Sequence, residues 1–255
     1  MVNYQIENRI ATITLDRAEK RNALNGELVD QLKEAFQNAF DDDAVKVILL
    51  QANGKVFSAG ADLAYLQQLQ ANSYEENLAD SNSLRELFEM IYYGSKPVIA
   101  KVQGHAIAGG CGLANVCDVT FVSSEAKMGY TEVKIGFIPA IVMTFLVRKI
   151  GESKAKELLL SGRLIPAQKI VEIGMAHHVF EPNDQNNSVL AYCQSLVENC
   201  SSHSLAITKK MINTIQDMNM KDALLYAAEQ NAKARSSDDC KKGISAFLNK
   251  EKPTW

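Results

Sequence analysis

The N-terminal part of the chain switches between strand-like and helix-like hydrophobic patterns. Residues 2–6 and 10–15 alternate apolar and polar positions, which predicts a β-hairpin. Asn25 is a good helix cap, and the residues after it carry an apolar side chain every fourth position, which predicts a helix; these are Leu28, Leu32, Phe36 and Phe40. The continuous apolar run from Val45 to Leu50 predicts a buried strand.

The same alternation continues further along the chain. A polar helical pattern covers residues 63–93, and apolar runs at 97–102 and 119–123 predict two more strands. Strands that alternate with helices are typical of βα units around a largely parallel sheet. The sequence therefore predicts the α/β class.

The last third of the chain shows helix patterns alone. They cover residues 186–200, 203–217, 220–235 and 238–249. We therefore expect a core at 1–185 and a C-terminal helical region at 186–255, which serves as a cap or an oligomerisation arm. The polar run at 183–187 is the predicted boundary.

Composition narrows the class of protein. The 255 residues are 47% hydrophobic and 22% charged, as in an ordinary globular protein, and the net charge of −3 offers no basic surface for nucleic acid. No apolar run approaches the roughly 20 residues that cross a bilayer, and no signal peptide is visible. Five scattered cysteines fit reduced thiols, so we expect a cytoplasmic protein with no metal site and no membrane partner.

Two loops rich in small residues carry the candidate chemistry. Phe57–Asp62 and His105–Gly112 each follow an apolar run and lead into a predicted helix. Such loops can direct backbone N–H groups at an oxygen that gains negative charge during a reaction. About twenty residues after the second loop, Glu132 lies in an apolar stretch that should raise its pKa; its apolar neighbours are Val133, Ile135, Phe137 and Ile138. Two amide donors and one carboxyl group suffice to enolise a thioester.

Several segments in this order resemble the crotonase, or enoyl-CoA hydratase/isomerase, superfamily over nearly the whole chain. They are residues 21–25, 57–63, 96–100, 108–114, 117–118, 128–139 and 247–253. The resemblance implies a spiral of ββα turns followed by a helical trimerisation region. It implies an acyl-CoA thioester substrate, a homotrimer or hexamer, and no cofactor, because coenzyme A belongs to the substrate.

The resemblance also assigns roles to individual positions. The N–H groups of Ala61 and Gly109 match the two donors to the thioester oxygen, and Glu132 matches the family's second catalytic glutamate. A simpler interpretation of Glu132 is a surface acid beside Lys134.

The expected substrate-binding set is drawn from the same match. The segment of Arg21, Ala23 and Leu24 corresponds to the one that follows the pantetheine and phosphates of CoA. Lys250 is expected at the 3′-phosphate, in the same or a neighbouring subunit. The remaining members are Ala59, Asp62, Gly112 and Ala140, and Asp62 is expected to brace the first loop through hydrogen bonds.

Gly112 departs from the family pattern. Family hydratases have their first glutamate there, and two carboxylates help hydration because one positions water while the other moves the proton. A single Glu132 favours a proton shuttle that moves a double bond, although Gly112 is also expected to leave space for a water. The run from 129 to 143 instead resembles bacterial hydratases of branched enoyl-CoA, such as methylglutaconyl-CoA.

A second departure follows Pro139, where bulkier apolar residues replace a glycine run. We expect Val142 and Leu146 to pack in the core, whereas Ala140 or Ile141 narrows the acyl pocket and favours a compact acyl group.

Three functions stay open at the level of the sequence. The first is hydration of a short or branched 2-enoyl-CoA, the second is Δ3–Δ2 isomerisation by one glutamate, and the third is non-catalytic binding of acyl-CoA. Elsewhere, Cys111 is expected to fill a small buried space, and Lys209 and Lys210 to lie on a solvated helix face.

Overall fold

A computed structural model describes residues 1–183 and 185–255, without the side chains of 185–187. Its strands, in chain order, are β1 Val2–Glu7, β2 Ile10–Leu15, β3 Val47–Ala52, β4 Val56–Ser58, β5 Val98–Val102, β6 His105–Ile107, β7 Val119–Ser123, β8 Lys127–Gly129, β9 Ile165–Pro166 and β10 His178–Phe180. Its helices are α1 Gly26–Asp41, α2 Leu63–Leu69, α3 Tyr74–Tyr93, α4 Gly109–Val116, α5 Ala140–Ile150, α6 Glu152–Ser161, α7 Ala167–Glu172, α8 Gln185–Asn199, α9 Ser202–Ile215, α10 Met220–Ser236 and α11 Asp238–Leu248. Short 3-10 helices cover Ala18–Lys20 and Glu132–Ile135.

The larger sheet has six strands in the order β1-β2-β3-β5-β7-β10. The β1–β2 hairpin is antiparallel, as the alternating pattern predicts, and the other neighbours are parallel. Side chains on β3 alternate between two apolar clusters. Ile48 packs with the helix α1 cluster, whereas Leu49 packs with the cluster that includes Val189 of α8. The sheet is therefore covered by helices on both faces.

Helix α1 begins where the sequence indicates. The side chain of Asn25 accepts a hydrogen bond from the N–H of Leu28 at 3.0 Å, which caps the first turn. Leu28, Leu32 and Phe36 are fully buried. The helical pattern at 63–93 is two helices and not one, because Ser73 and Glu76 form a capping box that starts α3 afresh.

A second sheet of four strands, in the order β4-β6-β8-β9, was not predicted. Its strands have two or three residues each, too few to show an alternating pattern. β4 and β6 overlap the first residues of the two predicted loops, and β8 ends just before Glu132. β4, β6 and β8 are parallel, and β9 is antiparallel to β8.

Four helices, α8 to α11, follow the sheets and confirm the helical character of the C-terminal third. The division at 185/186 stays a prediction, and Asp184 in the polar run lies outside the described residues. Lys209 on α9 is not solvated as expected. Its Nζ is buried against the carboxylate of Asp118 at 2.7 Å and the carbonyl of Ile91 at 2.9 Å, which ties α9 to the sheet and to α3.

Candidate active site

Three neighbouring strands deliver the three candidate segments to one edge. Ser58 on β4 pairs with Ala106 on β6, and Ala106 pairs with Met128 on β8. Because these strands are parallel, their carboxyl ends meet at the same edge of the small sheet. The first loop leaves β4 there, the second loop leaves β6, and the chain leaves β8 towards Glu132.

The two loops are in direct contact. A Cβ added to Gly60 would lie 2.8 Å from the carbonyl oxygen of Ile107 and 3.5 Å from the nitrogen of Gly109. Gly110 is equally constrained, because a Cβ there would lie 2.5 Å from the Oγ of Ser58. Both positions therefore require glycine for the close approach of the loops.

Backbone pairing between the first loop and Leu24 leaves the N–H group of Ala61 pointing away from Leu24. The N–H of Leu24 donates to the carbonyl of Gly60 at 2.7 Å, and the N–H of Asp62 donates to the carbonyl of Leu24 at 2.8 Å. In a parallel bridge of this kind, the residue between the two bonded ones directs its own N–H to the other side. The amide of Ala61 is thus left available beside the second loop.

The second loop presents its amide through a strained residue. Ala108 has φ 53° and ψ −125°, a conformation that costs a side chain about 1–3 kcal/mol. Its N–H donates to the carbonyl of Gly129 at 2.8 Å, which fixes the loop to β8. Gly109 is the first residue of α4, and the first intrahelical bond is that of Gly112 to Ala108. The N–H of Gly109 therefore belongs to the unpaired first turn of a helix.

Glu132 is buried, with 7% of its surface exposed. Its Oε2 finds no hydrogen-bond partner in the part of the chain that the structure describes. Burial raises the pKa of this carboxyl group, in the direction that the sequence predicts. The four flanking apolar residues are themselves 39–65% exposed, so they are not fully buried with it. The interpretation of Glu132 as a surface acid is wrong, because its side chain is buried.

The space next to Gly112 is filled. A Cβ at this position would lie 2.8 Å from the Cβ of Val142 and 3.1 Å from Cε1 of Phe88, and closer still to Cγ1 of Val142. The expectation that Gly112 leaves space for a water is therefore wrong, because α5 packs an apolar side chain there. Val142 and Leu146 are core residues as predicted, with 4% and 0% exposure.

Asp62 braces the first loop as expected. Its carboxylate caps α2 by accepting hydrogen bonds from the N–H groups of Ala64 and Tyr65, and it pairs with Arg17 at 2.9 Å. Burial alone would raise its pKa, but the hydrogen bonds from Arg17 and the two amides outweigh that cost and hold the pKa below its usual value.

Of the remaining predicted residues, four lie in or beside the first loop, and two lie on other elements. Ala23 and Leu24 are buried beside the loops; Ala59 donates its N–H to the carbonyl of Arg21 at 3.0 Å, while the Arg21 side chain is exposed. Ala140 is exposed at the start of α5. Lys250 lies on an exposed turn after α11. The chain that follows it is held by a hydrogen bond from the Arg9 guanidinium to the Trp255 carbonyl at 2.7 Å. These contacts do not bring Lys250 to the two loops.

Three residues that hold the first loop were missed as site residues. Arg17 also donates to the carbonyl of Ala23 at 2.9 Å, and buried Asn22 donates to the carbonyls of Asn53 and Val56 at 2.9 Å. Ser58 donates to the carbonyl of Asn22 at 2.8 Å. Polar residues of this kind give no periodic signal, because their partners are carbonyls that only the fold brings near. Cys111 is fully buried, as predicted.

Known proteins share this fold and this chain length. The structure of an enoyl-CoA hydratase from Shewanella pealeana superposes with a TM-score of 0.94 at 29% identity, covering 100% of this chain and 95% of that one. A structure from Legionella pneumophila, provisionally named an enoyl-CoA hydratase/isomerase (crotonase), gives a TM-score of 0.92 at 35% identity, covering 99% of this chain and 97% of that one. The fold is therefore the α/β crotonase fold, as the sequence predicts.

Sequence comparison gives the family. The family model described as enoyl-CoA hydratase/isomerase matches residues 5–255. A Thermus thermophilus protein provisionally named an enoyl-CoA hydratase is 39% identical over 98% of this chain and 99% of its own length. The 2,3-dehydroadipyl-CoA hydratase of Escherichia coli is 32% identical over 98% and 96%. The chain belongs to the enoyl-CoA hydratase/isomerase family and is an enzyme with an acyl-CoA thioester substrate. None of the described helices is long and apolar enough to cross a membrane.

Proposed function

We propose that this enzyme adds water to a short or branched 2-enoyl-CoA. The observation that supports it most is Glu132, a buried carboxyl group whose Oε2 has no hydrogen-bond partner among the described residues. It lies at the edge where the amides of Ala61 and Gly109 are also presented. That arrangement suits a reaction in which a thioester passes through an enolate.

The two amides would stabilise the charge. As water adds to the double bond, negative charge develops on the thioester oxygen, and the N–H groups of Ala61 and Gly109 donate to it. Both donors are fixed by the fold before the reaction, so little reorganisation is needed. One such donor typically contributes about 3 kcal/mol of transition-state stabilisation.

Glu132 would move the proton. Its raised pKa favours the protonated form that can act as an acid. The carboxyl group gives its proton to Cα while water adds its oxygen to Cβ, and the proton that this water loses returns to the carboxylate. One water is consumed, the glutamate is regenerated, and no cofactor is needed beyond the CoA of the substrate.

The rest of the binding set follows the two loops. Arg21, Ala23 and Leu24 would line the pantetheine and phosphates, with Ala59 and Asp62 in the first loop, and Lys250 would meet a 3′-phosphate. Ala140 and the filled space at Gly112 favour a compact acyl group. Methylglutaconyl-CoA and the substrate named for the crotonyl-CoA hydratase of Syntrophomonas wolfei, a 32% identical relative, fit that description.

A second candidate is Δ3–Δ2 isomerisation of an enoyl-CoA. One observation favours it: Val142 and Phe88 occupy the space of the family's first glutamate with apolar groups that cannot hold water. Glu132 alone would then take a proton from Cα and return it to Cγ.

We further propose that the active form is a homotrimer or hexamer in the cytoplasm. Helices α9 to α11 leave large apolar side chains exposed, as expected of surfaces that meet another copy; among them are Ile212, Met220, Leu224, Leu225, Ile244, Phe247 and Leu248.

A panel of substrates separates the candidates. Purified enzyme is given crotonyl-CoA, 3-methylglutaconyl-CoA and a 3-enoyl-CoA, and the ultraviolet absorbance of the conjugated thioester is followed. Hydration predicts loss of that absorbance with the first or second substrate. Gain of absorbance with the 3-enoyl-CoA alone would favour isomerisation, and no turnover of any substrate would contradict both proposals.

A further inference from the structure

Side chains close the C-terminal end of α4, the helix that begins at Gly109. The thiol of Cys117 donates to the carbonyl of Leu113 at 3.3 Å, and the hydroxyl of Thr120 donates to the carbonyl of Ala114 at 2.9 Å. Lys149 donates from Nζ to the carbonyls of Asn115 at 2.7 Å and Cys117 at 3.0 Å. Carbonyls at the end of a helix have no partner within the helix, so these side chains supply what the helix lacks.

Lys149 brings a positive charge to this end. It comes from α5, and its ammonium group is removed from water, which lowers its pKa. Burial of an ammonium group is costly unless hydrogen bonds and opposite charge compensate it. Here the compensation comes from the negative end of the α4 dipole and from the nearby carboxylate of Asp118.

Helix α5 holds α4 at a second point, since Val142 packs against Gly112 in the first turn. The eight residues of α4 form a rod about 12 Å long, so a shift at its C-terminus is transmitted to its N-terminus. The N–H of Gly109, at that N-terminus, belongs to the first turn that faces the other loop.

We propose that Lys149 is a positioning residue for the reaction: it anchors α4 from its C-terminal carbonyls and so holds the Gly109 amide in place for the thioester oxygen. The inference rests on the proposed function of that amide. Lys149 does not touch the substrate; it acts through the helix.

The chain contains a matched control. Lys46 is buried and donates from Nζ to the carbonyl of Val197 at 2.8 Å and to that of Cys200, at the C-terminal end of α8. It thus has the same chemistry on a helix that carries no candidate site residue. Lys149→Met and Lys46→Met therefore remove the same type of anchor from two different helices.

The test measures kcat and KM with the best substrate of the panel, together with hydrogen–deuterium exchange of residues 109–116 in the full-length enzyme. We expect Lys149→Met to lower kcat about tenfold, since a small misplacement of a catalytic donor is costly, and to leave KM within about twofold. Exchange in α4 should increase, and Lys149→Arg should recover most of kcat. Lys46→Met should keep kcat and the exchange of α4 unchanged.

Other results would overturn the inference. These are an unchanged kcat in Lys149→Met, an equal loss of kcat in Lys46→Met, or unchanged exchange in α4. If Lys149→Met does not fold, Lys149→Gln, whose side chain is one bond shorter and carries no charge, takes its place with the same expectations. Absence of turnover by the unsubstituted enzyme would instead contradict the proposed function itself.

Discussion

The residue that most constrains the chemistry is Glu132, since it is a carboxyl group in a place that disfavours its charge. It is buried, one of its oxygens is unpaired among the described residues, and desolvation raises its pKa. A group in that condition carries a proton at a higher pH than an exposed glutamate does, which is what an acid catalyst requires.

The burial of Glu132 should also make the free energy of unfolding depend on pH. The folded pKa of Glu132 exceeds the unfolded value of about 4.5. At a pH between these two pKa values, the folded protein therefore still holds a proton on Glu132 that the unfolded chain has released. The free energy of unfolding therefore falls as the pH rises through the folded pKa, and this contribution is fully present only below the unfolded value. We expect Glu132→Gln, which cannot ionise, to be more stable than the unsubstituted enzyme near pH 8.

Urea unfolding at several pH values measures this difference. The advantage of Glu132→Gln should shrink as the pH is lowered towards the unfolded value of about 4.5. Glu125→Gln is the control for the substitution itself, because Glu125 is exposed on a turn. An advantage of Glu132→Gln that is the same at every pH would contradict the assignment of the shift to this group.

Single residues also show where sequence reasoning ends. Glu132 and the small-residue loops could be found because their residue types are unusual in their positions. Lys209 was assigned to a solvated face, since nothing in the local sequence shows that Asp118 and two carbonyls would surround it. The sequence did not predict that Asn22 and Ser58 support the first loop, because their hydrogen-bond partners lie about 30 residues or more away in the chain.

At the scale of elements, the site depends on three short strands and two helices. β4, β6 and β8 bring the loops and Glu132 to one edge, while α5 packs Val142 against α4. The hydrophobic periods predict the longer strands, helix α1, the helical region of α2 and α3, and the four C-terminal helices, whereas α5, α6 and α7 were not predicted. The short strands could not be predicted, since two or three residues define no period, and so the second sheet was missed.

The contact between α4 and α5 predicts the effect of restoring the family's first acid. Gly112→Glu places a side chain into Val142, so we expect the free energy of unfolding to fall by about 1–3 kcal/mol or more. Val142→Ala removes the obstructing methyl groups. The double variant should therefore lose less stability than the sum of the two single variants.

Denaturant unfolding of the four proteins of this cycle measures the coupling. A matched control is Gly174→Glu, since a side chain at Gly174 would meet nothing within 4 Å and its cost comes from its backbone, which has φ +87°; Val142→Ala should not relieve that cost. Strict additivity of Gly112→Glu and Val142→Ala would contradict the packing described for α5.

At the scale of the whole molecule, helices α9 to α11 expose large apolar side chains that a single chain does not cover. Phe247 is 83% exposed and Leu224 is 63% exposed. Exposed apolar side chains in such number usually mark a surface that is covered in the assembled protein. The sequence predicts helices here with good bounds, yet the partner of those helices cannot be derived from a period.

Charged substitutions test whether these faces meet another copy. We expect Phe247→Lys and Leu224→Lys to shift the mass measured by sedimentation or light scattering towards the monomer, because each places an ammonium group in an apolar contact. Leu160→Lys is the control, since Leu160 is 77% exposed but lies on α6. A native mass of one chain for the unsubstituted protein, or no effect of either substitution, would contradict the proposed assembly.

The central claim is that Glu132 supplies the proton for the addition of water to a 2-enoyl-CoA. Mass spectrometry of the product formed from crotonyl-CoA or 3-methylglutaconyl-CoA in oxygen-18 water tests it most directly, with the unsubstituted enzyme and Glu132→Gln side by side. We expect the unsubstituted enzyme to give a product that has gained one labelled water, and Glu132→Gln to form it about 10²–10⁴ times more slowly. An unlabelled product with a shifted double bond, or full activity of Glu132→Gln, would contradict the claim.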